Sequence, residues 1–293
     1  MDVMRNRIRP ILDSLRQWRC CFSEELTEVE IRPGDYHFSE KLDADQLKDG
    51  WMSFGACETW GGRDRHFWFR TKVVIRKEWA GKEVRVTLNT GADDIWNTDN
   101  PQIMAYKNGI LSGTMDMNHQ DLILAEEAEE AEVFELVFYA YSNSENSTNF
   151  FHLKAAVYDR EIADLYYDLK VPFEAAELCF EEDLDRIEAM KFLNTAISGL
   201  DLRKPGSEEF YQSVREVREY VKKNLPDICR SSRVTVHSIG HTHIDVAWKW
   251  PLRQTRQKAV RSFQTVLNLM EQYPEYKFMS SQPQLYKYVK KHA

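Results

Sequence analysis

The run FWFRTKVVI at residues 67–75 is aromatic or β-branched at seven of nine positions, the composition of a strand that packs on a pleated surface. Two similar runs follow, VFELVFYAY at 133–141 and FFHLKAAVY at 150–158. Val84, Val86 and Leu88 alternate with Arg85 and Thr87, the period of a strand buried on one side. Asn108-Gly109, between Tyr106 and Ile110, has the composition of a two-residue hairpin turn. Short strands with turn signals between them predict an antiparallel β-sandwich over residues 26–159.

Outward from that region the pattern turns helical. Pro10 suits the start of a helix over 10–22, with Ile11, Leu12, Leu15 and Trp18 on one stripe, so residues 1–25 are read as an N-terminal helical segment. Residues 160–228 read as a helical linker. Phe180, Leu184, Ile187 and Ile197 fit one face of a helix over 173–197, and Lys204-Pro205-Gly206-Ser207 breaks the pattern. Phe210, Val214, Val217, Val221 and Leu225 then recur at three and four residues, with Pro226 just beyond. Residues 229–293 change again. RVTVHSIG at 233–240 predicts a strand, and 251–272 a helix with Leu252, Val260, Phe263, Val266, Leu267 and Met270 inward. Residues 276–281 predict a second strand and 283–293 a second helix. That order is the beginning of a parallel α/β unit, whose functional residues sit in the loops after its strands.

Composition narrows the function. Among 293 residues, 39 Lys and Arg stand against 47 Asp and Glu, a net charge of −8 that argues against binding nucleic acid through its phosphates. No stretch has the length and apolarity of a membrane span, and the Arg5, Arg7, Arg9 run has no apolar region behind it, so no membrane association or signal peptide is expected. Five cysteines, an odd number with Cys20 and Cys21 adjacent and no CxxC, fit a reduced, cytoplasmic protein. Asn146-Ser147-Thr148 is read as a chance sequon, and the acidic run 126–132 as a solvated edge.

The loop after the first predicted strand of the C-terminal region is GHTHIDVAW, 240–248. His241, His243 and Asp245 fall at alternate positions, which extended backbone turns to one side. Imidazole nitrogen with carboxylate oxygen suits a divalent metal such as zinc, although an HxH at a strand end is often only hydrogen-bonded. Trp248 and Trp250 follow, and an indole offers a flat platform to the C–H face of a sugar.

HSIGHTHIDVAWKWPLRQTRQKAVRSF, with YPEYKFMSSQPQLY behind it, resembles the opening of the catalytic domain of family 38 glycoside hydrolases, the class II α-mannosidases. YKNGILSGTMDMNHQ, 106–120, is similar to the β-domain that precedes the barrel in bacterial and cytosolic members. The resemblance implies a multidomain chain in which 229–293 begins a (β/α) barrel. It also implies zinc ligands at His243 and Asp245, with Trp248 and Asp245 binding the mannose unit of an oligosaccharide and His241 outside the metal. The implied reaction is hydrolysis of α-mannosidic bonds with retention, which needs two carboxyl groups about 5–5.5 Å apart. After Asp245 only Glu271 and Glu275 remain, at a helix end, so no catalytic residue is expected here and the nucleophile is expected beyond Ala293. The sequence runs out inside a helical pattern, and is read as the N-terminal part of a longer enzyme, inactive alone. An open parallel edge would leave 229–293 disordered or covered by another chain, so self-association stays open.

Two other readings remain. A metal-dependent amidohydrolase would use His241 and His243. A carbohydrate-binding module would use tryptophans of the sandwich region, Trp51, Trp60, Trp68, Trp79 and Trp96, although such residues more often fill cores. His119 is read as a turn residue, and His37, His66, His152 and His237 as structural or surface residues.

Overall fold

A computed structural model describes residues 2–35, 37, 41–93, 100–146, 148–228 and 236–292. Trp96, Cys229, Ser147 of the sequon and the first residues of the strand predicted over 233–240 lie outside them. The chain divides into two compact units, Met1–Phe22 with Val157–Val236 and Ser23–Ala156 with His237–Ala293.

The second unit is built on two antiparallel sheets. The strands of these sheets are β1 (Cys20–Leu26), β2 (Glu30–Gly34), β3 (Met52–Ser53), β4 (Arg65–Val74), β5 (Glu83–Asn89), β6 (Gln102–Lys107), β7 (Ile110–Met115), β8 (Asp121–Ala125), β9 (Val133–Ser142) and β10 (His152–Tyr158). The orders are β1-β10-β5-β8 and β3-β2-β4-β9-β6-β7. FWFRTKVVI lies in β4 except for its last residue, Ile75. The strand pairs with β9 from Arg65 opposite Ser142 to Val74 opposite Val133. Between β6 and β7, Asn108 and Gly109 both take the left-handed conformation, φ 51° and 83°, which the tight hairpin turn requires.

Alternation along β4 explains the layering. Phe69 is fully buried and its ring stacks on Phe151 at 3.7 Å, with Trp60 edge-on at 5.4 Å. Val84, Val86 and Leu88 of β5 are buried as their spacing predicts. Trp68 belongs to a separate buried cluster with Met104, Tyr106, Leu111 and Tyr139. The six-stranded sheet is therefore apolar on both faces. Trp60, Trp68 and Trp79 are each at most 5% exposed, so these three are core residues rather than a sugar-binding face.

The helices of this unit are α5 (Leu252–Gln272) and α6 (Pro283–His292), numbered after the four of the other unit, α1 (Asp2–Trp18), α2 (Arg160–Leu178), α3 (Leu184–Ser198) and α4 (Glu208–Ile228). Val260 of α5 packs against the Trp68 cluster. The hydroxyls of Thr114 and Thr265 meet at 2.6 Å, and Asn268 Nδ2 donates to the Ser112 carbonyl at 3.1 Å. The expectation that 229–293 would be disordered or covered by another chain is thus corrected for α5, which the aromatic face of the sheet holds. The expected inward face of α5 holds at Val260, Phe263 and Val266 and is corrected at two positions. Leu252 and Leu267 are 40% and 54% exposed, whereas Gln254, Thr255, Gln257 and Arg261 are buried. Ala259, with Phe263 alongside, packs on Ile244 and Leu285, so α5 uses one apolar stripe toward α6 and a polar one elsewhere. The two predicted strands of this region reduce, among the described residues, to one parallel bridge, Gly240 to Phe278.

The first unit is helical. Ile8, Leu12 and Leu15 of α1 share one core with Leu165, Leu169, Leu193, Phe210 and Val214. The first helix starts and ends earlier than predicted, because Ile8 extends the Leu12 and Leu15 stripe back past Pro10 and the chain at Cys20 enters β1. The helix expected over 173–197 is two, and Phe180 and Leu184 are 83% and 73% exposed at the break. Arg186 donates to the Cys179 carbonyl at 2.8 Å and closes that turn. Pro226 lies inside α4 rather than beyond it.

Removing the Phe69 ring leaves a cavity between the sheets. Phe69→Ala is expected to lower unfolding free energy by about 3–5 kcal/mol, measured by denaturant titration. Val74→Ala, on the same strand but 54% exposed, should cost within about 0.5 kcal/mol. Equal costs would contradict the layering.

Candidate functional site

The site grows out of the single parallel bridge. The Gly240 N–H donates to the Lys277 carbonyl at 2.8 Å, and the Met279 N–H donates to the Gly240 carbonyl at 2.9 Å. Beyond Gly240 no ladder is formed, so strict alternation is not enforced. His241 turns to Ser281, its Nε2 3.3 Å from Oγ. Ile244 is buried against Ala259 and Leu285, and its N–H donates to Gln282 Oε1 at 3.4 Å. His243 and Asp245, either side of this anchor, face each other with Nε2 and Oδ1 3.1 Å apart. Of the three residues expected to converge, the structure thus joins two and sets His241 on a different partner. His241 and His243 have different partners, Ser281 and Asp245.

The donor set of His243 and Asp245 fits a zinc ion. The 3.1 Å contact between them is a hydrogen bond, and the fit is one of donor chemistry, imidazole nitrogen beside carboxylate oxygen. Both side chains are open to solvent, so a metal could reach them. Among the described residues no third His, Cys, Asp or Glu completes a metal-binding group. That leaves two protein ligands, below the three usual in catalytic sites.

The tryptophan loop is fixed from beneath by a residue the sequence reading passed over. Thr255, fully buried on the first turn of α5, accepts at Oγ1 from the Ala247 N–H at 3.0 Å and from Trp250 Nε1–H at 3.2 Å. Ala247 is held in the left-handed region, φ 58°. A second hold comes from Asn143, whose Nδ2 donates to the Lys249 carbonyl at 3.1 Å, and a third from the ion pair of Arg253 with Asp64. Trp248 stands 56% exposed and edge-on to Trp250, centroids 5.7 Å apart. A solvent-facing indole on a braced loop is able to stack on a sugar. Nothing in the spacing of Thr255 marks it, since a threonine early in a polar helix stretch reads as surface.

His119 is a turn residue. The Asp116 carboxylate accepts from the Asn118 and His119 N–H groups at 2.8 Å each and lies 3.1 Å from His119 Nδ1. That hydrogen bond raises the His119 pKa. Burial pulls Asp116 upward, but the bonds from His119 and Asn118 outweigh it and hold the carboxyl below its ordinary range.

Residues 233–293 match the family described as "Glycosyl hydrolases family 38 N-terminal domain". Over longer stretches the chain is similar to curated mannosidases. It is 26% identical over 241 residues to Alpha-mannosidase 2C1 of Mus musculus, covering 76% of this chain and 22% of that protein. It is 25% identical over 284 residues to Alpha-mannosidase G of Dictyostelium discoideum, covering 92% and 25%. The chain thus spans about a quarter of the length of these relatives. Among solved structures, a Bacteroides uniformis beta-glucuronidase aligns with 46% of this chain and 18% of its own at 11% identity and a TM-score of 0.32, too slight a likeness to bear on this chain.

Thr255→Val keeps the shape and removes the acceptor. Leaving the Ala247 and Trp250 donors unpaired is expected to cost about 1–3 kcal/mol. Amide exchange at Ala247 should quicken and the Trp250 indole proton should shift in NMR spectra. Unchanged exchange at Ala247 would contradict the bracing role.

Proposed function

Residues 233–293 belong to the N-terminal domain of the family 38 glycosyl hydrolases, and from that premise we propose that the protein works as a zinc-dependent α-mannosidase that cleaves α-mannosidic bonds of oligosaccharides with retention. The observation that carries the reading is the His243–Asp245 pair, 3.1 Å apart within the matched stretch. The mannosidase relatives support the substrate class. In this proposal the Gly240–Phe278 bridge and the α5 connection are the first parallel step of a (β/α) barrel, and the pair sits where a barrel keeps its chemistry, after a strand.

In this reading His243 and Asp245 hold zinc, which when bound acts as a template and Lewis acid for the sugar. The chain's own residues do the rest of what happens here. Trp248 presents its ring to the C–H face of the mannose and excludes water from one side of it. Thr255 and Asn143 keep that ring at a fixed height. Among the described residues Asp245 is the one carboxylate paired with His243, and in this reading the nucleophile and acid/base carboxyls come from elsewhere in a protein of the relatives' length. Five cysteines, an odd number with two adjacent and no CxxC, fit a reducing, cytoplasmic setting. No helix among the described residues is long and apolar enough to cross a membrane.

The test is hydrolysis of an aryl α-mannoside by a polypeptide of the relatives' length carrying this chain. A chelator should abolish turnover and zinc should restore it. Asp245→Ala should stay folded and lose more than about 100-fold, beyond the loss typical of residues that only support a metal ligand. The 293-residue chain alone should turn over nothing and bind zinc more weakly than micromolar, because two ligands anchor the ion poorly. Robust activity of the Asp245→Ala protein, or a chelator-insensitive enzyme, would overturn the proposal.

A further inference from the structure

Beside α5, and lined by neither His243 nor Asp245, lies a cavity of about 300 Å³. Lys258 and Arg261 of α5 form part of its wall, with Asp116 and His119 from the turn after β7. A smaller cavity of about 10 Å³ shares Gln102 and Lys258 with it and is lined also by Gln254. That smaller volume has room for about one water molecule.

Two groups here are out of balance with their surroundings. Lys258 is partly buried, its ammonium 4.3 Å from the Trp250 ring centroid, and among the described residues no carboxylate pairs with it. Burial, reinforced by the neighbouring Arg261 charge and only partly offset by Asp116, pushes the lysine down to about 7. Gln254 is 1% exposed, yet neither its amide oxygen nor its amide nitrogen has a partner among the described residues. Buried amides are nearly always paired, so one with both ends unmet points to something that meets them. The remaining groups are already set in place. Arg261 donates to Gln257 Oε1 at 3.0 Å and to Gln102, and His119 is fixed by Asp116. The one carboxylate among the wall residues is thereby engaged.

From this geometry we propose that the cavity binds a tetrahedral oxyanion, free or as the end of a phosphate or sulfate ester, between Lys258 and Arg261, with Gln254 reached through a single water in the adjoining cavity. An anion supplies the opposite charge that the partly buried ammonium lacks, and cationic hydrogen bonds to such oxygens are among the stronger ones available. Arg261, held in place by Gln257 and Gln102, adds a second fixed positive charge to that wall. The inference stands independently of the hydrolase reading.

Sulfate tests it, because its charge does not change across the pH range used. In calorimetric titrations at constant ionic strength against chloride, sulfate should bind the 293-residue chain saturably. The charged and titratable groups lining the cavity with Lys258 are Arg261, Asp116, His119, His241 and Tyr276. Bound anion favours the ammonium, so affinity should fall at least about tenfold between about pH 6 and about pH 9 as free Lys258 loses its proton. Lys258→Met should fold, since it replaces a buried charge by an apolar chain, and should lose sulfate binding. Gln254→Leu should weaken binding several-fold and serves as the second variant if Lys258→Met is poorly folded. A hexose 6-phosphate that binds more tightly than sulfate would assign the site to an ester, and equal binding would assign it to the free anion. No saturable binding beyond chloride, or sulfate binding unaltered in either folded variant, would overturn the proposal.

Discussion

The structure around the candidate site depends on one constraint: the pairing of β4 with β9 produces a sheet that is apolar on both faces. Phe69 and Phe138 are fully buried, and so are Tyr139 and Tyr106, while Trp68 is nearly so. Each of these rings needs cover, because a strand of this composition left open to water would be both unstable and prone to pair with other chains. The second sheet covers the Phe69 side. Val260 of α5 and the hydrogen bonds at Thr114 and Ser112 cover part of the Trp68 side. Everything that bears on function follows from where α5 is thereby placed. Thr255 on its first turn sets the height of the Trp248 loop, Ala259 seats Ile244 between His243 and Asp245, and Lys258 with Arg261 closes a polar cavity.

How much of this the sequence discloses depends on whether the cause is local. The β-sandwich was legible because alternation is a local property, and Asn108-Gly109 marked its turn because few other pairs tolerate two positive φ values. Spacing alone grouped His241, His243 and Asp245, and only the family resemblance singled out His243 and Asp245, whose side chains the structure brings to 3.1 Å. His241 was expected on the same side and is not. The expectation assumed a ladder that continues past Gly240, whereas hydrogen bonding stops there and Ser281 draws the ring away.

What depended on distant partners was not legible. The apolar residues of α5 showed that some face is covered, but not that Gln254, Thr255, Gln257 and Arg261 would be buried in preference to Leu252 and Leu267. Polar residues at helix positions read as solvated until a sheet is laid against them. The same gap hid Thr255 as a brace and Lys258 as a buried cation. The break at Phe180 was missed for a related reason, since the spacing of apolar residues does not reveal that the chain leaves one helix at Leu178 and enters the next at Leu184.

If the aromatic face of the six-stranded sheet is what holds α5, loosening that face must be felt in the helix and in the loop it carries. Hydrogen exchange measured on Trp68→Ala tests this directly. The account predicts faster exchange in β4 together with faster exchange across Ala259–Val266 and in residues 244–250, with the helical unit of α1 to α4 unaffected. Quickened exchange confined to the sheet, with α5 and residues 244–250 as protected as before, would contradict it.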